Sequence, residues 1–171
     1  MTLSDRAARL APALSSLAGK PLKIGLLGEH NAANALGVAV LAAACGGTGE
    51  GILTALAEFP GVGRRLEVRF DDGITVLDDY GHHPTAIDAT LATVRRRYPG
   101  RPLILAIEPL TYHRTAALLG PLARACAAAD RVAVADIFAV RDTDLSITRA
   151  AALAAEIRLL GTPAEAPGSV E

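Results

Sequence analysis

The sequence predicts an α/β fold, in which a Rossmann-like unit with a mainly parallel sheet and a β-hairpin at its start follows a small helical segment. From residue 84 onward, short apolar runs alternate with helical stretches of about 12 to 15 residues, which is the pattern of right-handed βαβ crossovers. Before residue 63 the pattern is helical and is interrupted by Gly and Pro. We therefore divide the chain into residues 1–62 and residues 63–171.

Composition excludes several classes of protein. The 171 residues are 51% hydrophobic, with 17 Lys and Arg against 18 Asp and Glu, so a folded core is expected and nucleic acid is not an expected partner. The longest weakly polar run, residues 32–47, is shorter than the ~20 residues of a membrane span. Asp5, Arg6 and Arg9 interrupt any signal-like stretch. The expectation is a cytoplasmic protein with no membrane partner.

The first part of the chain is predicted to be mainly helical. Helix-breaking Gly19 and Pro21 end a short N-terminal helix, and Gly46-Gly47 ends a longer one. The predicted elements are a helix within residues 1–21, a brief strand at residues 23–27, and helices over residues 28–45 and 51–58.

The second part begins with a predicted β-hairpin over residues 64–77. Apolar and polar residues alternate before Asp71-Asp72-Gly73, which is a hairpin-type turn. Strands and helices then alternate. The predicted elements are helices over residues 84–98, 115–128 and 147–160, and strands over residues 103–107 and 131–137.

The two cysteines match no metal-binding spacing. Cys45 and Cys126 both lie on Ala-rich helical stretches. The sequence favours buried, reduced thiols, with a disulfide as the alternative.

Three polar segments follow predicted strands, where ligands bind in open α/β sheets. The first, residues 78–84, contains two carboxylates, a phenol and two imidazoles and is interpreted as a functional site, although loop capping is an alternative. The second, residues 108–115, offers Thr115 as a helix N-cap and Arg114 as an anion contact, or is a solvated loop. The third contains Asp136 and is only suggestive.

Two further groups precede these loops. His30, Asn31 and Asn34 start a helix, where they could contact a purine edge, but residue type alone favours helix capping. Arg65 follows a second arginine before a strand and is equally consistent with a phosphate clamp or with ordinary surface charge. The sequence has no G-x-x-x-x-G-K-[ST] phosphate loop and no G-x-S-x-G elbow.

The segments G-E-H-N-A-A-N-A, F-P-G-V-G-R-R-L-E, D-D-Y-G-H-H-P-T, E-P-L-T-Y-H-R-T and A-D-R-V-A-V-A-D-I-F occur in this order. Together they resemble the Mur ligase family over about residues 24–160. They are most similar to the branch that adds L-alanine to UDP-N-acetylmuramate in peptidoglycan precursor synthesis. The resemblance implies that residues 1–62 match the end of the central domain and residues 63–171 the C-terminal domain, apparently without its last helix and strand.

The resemblance also implies roles for single residues. Those matching nucleotide-binding positions are His30, Asn31, Asn34, Arg65 and Asp79. Those matching positions that face the muramyl substrate or the incoming amino acid are Tyr80, His82 and Arg114.

One motif departs from the family pattern. Where Q-P-H-R is expected, the chain has Glu108, Pro109, Leu110 and Thr111, so the charge-assisted hydrogen bonds of the His-Arg pair are lost.

The resulting hypothesis is a truncated ligase module that is inactive alone, with no complete catalytic set of its own. In the family, ATP and Mg²⁺ are the cofactors; neither is expected to bind this chain tightly. The alternative hypothesis is an interaction or regulatory module that docks on separate Mur ligase N-terminal and central domains, or self-associates. The third hypothesis is that the sequence is a gene fragment or an excised piece of a longer protein.

Overall fold

The computed structural model describes residues 17, 19–26, 28–139 and 141–168 of the chain. These residues form two compact units that divide the chain between Asp78 and Asp79. Each unit is described by itself.

The first unit begins with two helices, α1 (Glu29–Ala44) and α2 (Gly49–Glu58). Ala39 and Ala43 on α1 are buried against Ile52 on α2, so small side chains allow the two helices to approach closely. Helix α2 starts at Thr48, whose hydroxyl oxygen accepts a hydrogen bond from the Gly51 N–H at 3.2 Å. This is the usual way to satisfy a free N–H at a helix start.

The first unit ends in the antiparallel hairpin of β1 (Glu67–Asp72) and β2 (Ile74–Asp78). The strands reverse at Gly73, whose φ of 70° suits glycine, and a bulge interrupts the register between Val68 and Phe70. The predicted hairpin is confirmed, and Asp71-Asp72-Gly73 is its turn.

The second unit is an α/β layer. Its elements are α3 (Pro84–Arg97), β3 (Ile104–Ile107), α4 (Tyr112–Ala117), α5 (Leu119–Cys126), β4 (Arg131–Ala135), α6 (Ala150–Leu159) and β5 (Ala164–Gly168). The three strands are parallel in the order β3-β4-β5. This confirms the predicted α/β class with a parallel sheet and a separate hairpin.

The core of the second unit lies on one face of the central strand. Val132 and Val134 of β4 are fully buried and cluster with Leu153 and Ile157 of α6. Side chains of α3 and α5 complete this cluster. Because β4 is flanked by both other strands, its position fixes where the loops after β3 and β4 emerge.

A charged contact joins α3 to the beginnings of β3 and β4. The Arg95 guanidinium contacts both oxygens of Asp130, at 2.8 and 3.0 Å, and the Leu103 N–H donates to Asp130 Oδ2 at 2.6 Å. The Arg95 hydrogen bond, followed by the Leu103 N–H, holds the pKa of Asp130 below its ordinary value.

Several predicted elements need correction. Residues 23–26 form no strand, and residue 27 lies outside the described residues. The single helix predicted over residues 115–128 is two helices, because Pro121 has no N–H to donate to the Ala117 carbonyl. Strand β5 was not predicted. The helix expected within residues 1–21 lies almost wholly outside the described residues.

The cysteine prediction is half correct. Cys126 is buried, whereas Cys45 is exposed just after α1, and both are free thiols. Burial, followed by the charge of Asp88, raises the pKa of the Cys126 thiol to about 12.

Among the described residues, no helix has both the length and the apolar character needed to cross a lipid bilayer.

Candidate functional site

The loop after β2 is shaped by Asp79 and Gly81. Asp79 Oδ1 accepts a hydrogen bond from the Gly81 N–H at 2.7 Å, a side-chain turn typical of aspartate. A Cβ at position 81 would lie 2.7 Å from the same oxygen, so only glycine fits without moving the Asp79 carboxylate. This turn fixes the direction in which Tyr80 and His82 leave the loop.

Tyr80 and His82 form an aromatic pair on this loop. Their ring centroids lie 5.2 Å apart at an interplanar angle of 76°, the edge-to-face arrangement that aromatic rings favour. His82 Nδ1 lies 3.0 Å from the Tyr80 carbonyl oxygen. Since a carbonyl only accepts, Nδ1 carries the proton and Nε2 is left for another group.

His83 has a structural role instead. Its Nδ1 accepts the Thr85 N–H at 3.4 Å and caps α3, and Pro84 occupies the first helical position. The two neighbouring imidazoles therefore differ in their contacts: His83 caps α3, and His82 packs against the Tyr80 ring.

The loops after β3 and β4 are joined to each other. The Thr111 N–H donates to the Phe138 carbonyl at 3.0 Å, and the Phe138 N–H donates to the Pro109 carbonyl at 2.9 Å. These bonds extend the parallel pairing beyond the ends of the two strands. The segment carrying Arg114 is consequently held at the edge where α/β sheets bind ligands.

The N-cap of α4 is Thr111, which corrects the prediction of Thr115. Thr111 Oγ1 accepts the Arg114 N–H at 3.3 Å, whereas Thr115 is buried and donates its hydroxyl to the Thr111 carbonyl at 2.8 Å. Thr111 has a φ of 63°, which a β-branched residue rarely adopts. The surrounding hydrogen bonds hold this conformation.

Asp142 lies in the loop after β4 and binds the start of α4. Its carboxylate accepts the Tyr112 N–H at 2.7 Å and contacts His113 Nδ1 at 2.6 Å. The His113 hydrogen bond is the main cause that lowers the pKa of Asp142. Sequence reasoning gave neither residue a role, because they are 29 positions apart and share no local pattern.

The first unit contains a cavity of about 330 Å³ between the start of α1 and the segment before β1. Its lining brings together Asn31 and Arg65, two of the predicted nucleotide-binding residues. The lining residues are Gly25, Leu26, Asn31, Pro60, Gly61, Val62, Gly63, Arg65, Leu66, Glu67 and Val68. His30 and Asn34 are exposed on α1 and are not among them.

The backbone on both sides of Arg65 is unusual. Arg64 and Leu66 have φ values of 58° and 50°, in the left-handed region that residues other than glycine seldom adopt. Glu67 Oε2 accepts the Arg64 N–H at 2.9 Å, and Glu67 Oε1 accepts from Arg69 at 2.8 Å. The Arg64 N–H, followed by Arg69, lowers the pKa of Glu67. These bonds stabilise the turn that carries Arg65.

No group of three or more His, Cys, Asp or Glu side chains that could hold a metal ion occurs in the part of the chain that the structure describes. The described residues therefore do not fit a resident metal site by themselves.

The family described as "Mur ligase, glutamate ligase domain" matches the chain over residues 64–170. This range includes the hairpin, the loop with Tyr80 and His82, and the joined loops after β3 and β4.

Curated relatives are UDP-N-acetylmuramate–L-alanine ligases. The protein from Acidithiobacillus ferrooxidans is 46% identical over 134 residues, which is 78% of this chain and 29% of the relative. The protein from Chromobacterium violaceum is 38% identical over 147 residues, or 82% of this chain and 32% of the relative. The chain thus spans about a third of the length of these relatives.

Solved structures of similar fold are also ligases. UDP-N-acetylmuramate–alanine ligase from Thermotoga maritima superimposes with a TM-score of 0.69 at 28% identity, covering 85% of this chain and 31% of that one. A murein peptide ligase from Psychrobacter arcticus gives a TM-score of 0.58 at 27% identity, covering 85% of this chain and 30% of that one.

Proposed function

Because the chain belongs to the Mur ligase family, we propose that it is the C-terminal module of an ATP-dependent ligase that joins L-alanine to UDP-N-acetylmuramate. The observation that carries this proposal is the similarity, at 46% identity, to a ligase of that name over most of the chain. Since the chain spans 29% of that relative, the activity of the whole enzyme is an inference. The proposed place of action is the cytoplasm.

The proposed roles of the residues follow their chemistry. The Tyr80 and His82 rings pack edge to face, and a phenol beside an imidazole suits contacts to the muramyl substrate or the incoming amino acid. Arg114 supplies a guanidinium for an acidic group on the same substrates. These side chains orient the reactants while the bond forms, and orientation contributes strongly to rates of group transfer.

The proposed nucleotide contacts lie mainly in the first unit. Asn31 and Arg65 share a cavity, so a carboxamide and a guanidinium face one space, as an adenosine base and a phosphate would require. His30 and Asn34 on α1 and Asp79 after β2 complete the proposed set.

The module is proposed to be inactive alone. Its sequence contains no phosphate loop, and the described residues contain no metal-binding cluster, so ATP phosphates and Mg²⁺ would be held by the remainder of the enzyme. Contacts to adenosine with only one guanidinium for the phosphates leave little affinity after the entropy of association. We expect nucleotide affinity of about millimolar or weaker.

The test is a chimera. Residues of the Acidithiobacillus ferrooxidans ligase that match this chain are replaced by this chain, and phosphate release is measured with ATP, Mg²⁺, UDP-N-acetylmuramate and L-alanine. We expect turnover by the chimera and none by the 171-residue chain. His82→Ala should reduce turnover, whereas Arg124→Ala, at an exposed position of α5, should not. A folded but inactive chimera would contradict the ligase function, and turnover by the chain alone would contradict the module.

The second candidate function is an interaction or regulatory module that docks on a separate Mur ligase domain. Helix α1 has no Asp, Glu, Lys or Arg after Glu29, and Leu36 and Leu41 are 59% and 67% exposed. A helix that is apolar on all sides is normally buried.

The docking function predicts binding through the exposed apolar side chains of α1, which include Leu36 and Leu41. Mixing the chain with the separately purified remainder of the Acidithiobacillus ferrooxidans ligase should give a complex by size exclusion with light scattering. Leu36→Glu with Leu41→Glu should abolish it, and Leu159→Glu on α6 should not. A monomer that ignores this partner would count against docking.

A further inference from the structure

Asp142 has a buried carboxylate whose hydrogen-bond partners are groups of the protein itself. Its side chain is 6% exposed, and it contacts the Tyr112 N–H at 2.7 Å, His113 Nδ1 at 2.6 Å and the His113 N–H at 3.4 Å. A buried charge requires such partners. All three donors come from the start of α4, on the neighbouring loop.

The imidazole of His113 is held at one nitrogen and open at the other. The side chain is 64% exposed, although its partner Asp142 is buried. Because Nδ1 faces Asp142, Nε2 is the nitrogen left for solvent or a ligand. A carboxylate that orients an imidazole is a common way to position a histidine for function.

The backbone around His113 is held in place by hydrogen bonds. The backbone bonds between Thr111, Phe138 and Pro109 join the two loops, and Thr111 keeps a φ of 63°. Strained backbone of this kind concentrates at functional sites. The N–H groups at the start of α4 are used by Asp142 and Thr111, so side chains must bind any ligand here.

We infer that His113 is a ligand-facing residue whose imidazole, with a proton on both ring nitrogens, donates from Nε2 to a carboxylate, with Asp142 as its positioning residue. This inference rests on the proposed function, since both substrates of that reaction, L-alanine and the muramyl nucleotide, carry a carboxylate. The imidazole of His113 and the guanidinium of Arg114 belong to neighbouring residues at the start of α4. The nearby Asp144 carboxylate is already bound by the Ser146 N–H and hydroxyl at 2.8 and 2.6 Å.

His113 also explains how the chain could retain carboxylate binding. The resemblance led us to expect a His-Arg pair where Leu110 and Thr111 stand. Leu110 has no charge, and Thr111 is committed to capping α4. The His113 imidazole, two positions after Thr111, places another hydrogen-bonding side chain on the same segment.

The test is nitrogen NMR of the complete 171-residue chain with labelled histidine, since four histidines give a resolvable spectrum. Two pairs of probes separate the two carboxylate sources: L-alanine against L-alaninamide, and UDP-N-acetylmuramate against UDP-N-acetylglucosamine, which lacks the lactyl carboxylate. We expect a saturable shift of His113 Nε2 with one carboxylate probe and none with its neutral counterpart. The resonances of His83 should stay unchanged.

The variants separate binding from folding. His113→Ala should weaken binding of the responding probe at least about tenfold, the size of a lost charged hydrogen bond. Asp142→Asn should weaken binding of the responding probe about three- to tenfold. It should also shift the His113 Nδ1 resonance away from the value of the hydrogen-bonded nitrogen. Arg124→Ala should change neither.

The outcomes are distinct from those of the proposed function. A silent His113, or equal shifts with carboxylate and neutral probes, would overturn this inference even if the chimera is active. A carboxylate-specific shift at His113 in a chain whose chimera is inactive would support the binding role and contradict the ligase.

Discussion

Leu153→Ala should strongly destabilise the second unit, because Leu153 on α6 is completely buried against the central strand. The substitution removes three carbons from the core, which costs about 2.4 kcal/mol at ~0.8 kcal/mol for each methylene. The cavity left behind adds to this cost, so the total loss in free energy of unfolding should be about 3 to 4 kcal/mol.

Leu159→Ala provides the matched control on the same helix. Leu159 is 79% exposed, so its truncation should change the free energy of unfolding by less than about 0.5 kcal/mol. Urea denaturation followed by circular dichroism measures both variants, and hydrogen exchange of β4 amides assigns the loss to the second unit. Equal losses for the two variants, or a loss below about 1 kcal/mol for Leu153→Ala, would refute the assigned core.

Three further predictions concern the thiols, acid stability and the Tyr80 loop. At pH 8 a thiol reagent should label Cys45 rapidly and Cys126 only in denaturant, because burial raises the Cys126 pKa to about 12; rapid labelling of both in the native protein would contradict this. The lowered pKa of Asp130 means that its stabilising contribution is present above its ordinary value of 3.8 and is lost as pH falls through the lowered value. The difference in stability between the protein and Asp130→Asn should therefore be constant at neutral pH and shrink below about pH 4, and a difference that persists at pH 2 would show that charge is not the cause. Gly81→Ala should shift the Tyr80 ring resonances, since its Cβ would lie 2.7 Å from Asp79 Oδ1, whereas Gly37→Ala, with nothing within 4 Å, should leave them unchanged.

Local sequence signals were sufficient where one short-range cause dominates. Asp71-Asp72-Gly73 predicted the hairpin turn, and Gly73 occupies it with a positive φ. Pro84 predicted the start of α3 to the residue. The apolar runs of β3 and β4 likewise predicted a parallel sheet, which the pairing of the two strands confirms.

Elements without such a signal were missed. Strand β5, with the sequence A-E-A-P-G, contains residues that are depleted in strands, and it forms only because the edge of β4 supplies a partner. Its proline is tolerated because β5 lies at the edge of the described sheet. Pro121 was a sequence signal that could have predicted the break between α4 and α5. The surrounding Ala and Leu residues instead favoured one continuous helix.

The candidate site shows the same division. Residue type alone favoured helix capping for Asn31 and left Arg65 undecided, and only the resemblance linked them; the shared cavity brings them together, although their role stays a prediction. The contact of His113 with Asp142 spans 29 residues. No single-sequence pattern reports a contact of that length, because it depends on the order of strands in the sheet.

Backbone strain links the two candidate regions by a common argument. Among the described residues, those other than glycine with positive φ are Arg64, Leu66 and Thr111. Arg64 and Leu66 flank Arg65, and Thr111 is two positions before His113. Such conformations cost about 1 to 3 kcal/mol each, and glycine would remove most of that cost, as Gly61 does in the same segment with a φ of 94°.

The side chains explain why glycine is absent at these three positions. Leu66 is buried, Arg64 pairs with Asp78 at 3.4 Å, and Thr111 caps α4. Each strained residue thus anchors its loop with its side chain while its backbone sets the direction of the next residues. Since these contacts offset part of the strain while the φ angles set the direction of the chain, we expect the combination to fix the backbone at Arg65 and beside His113.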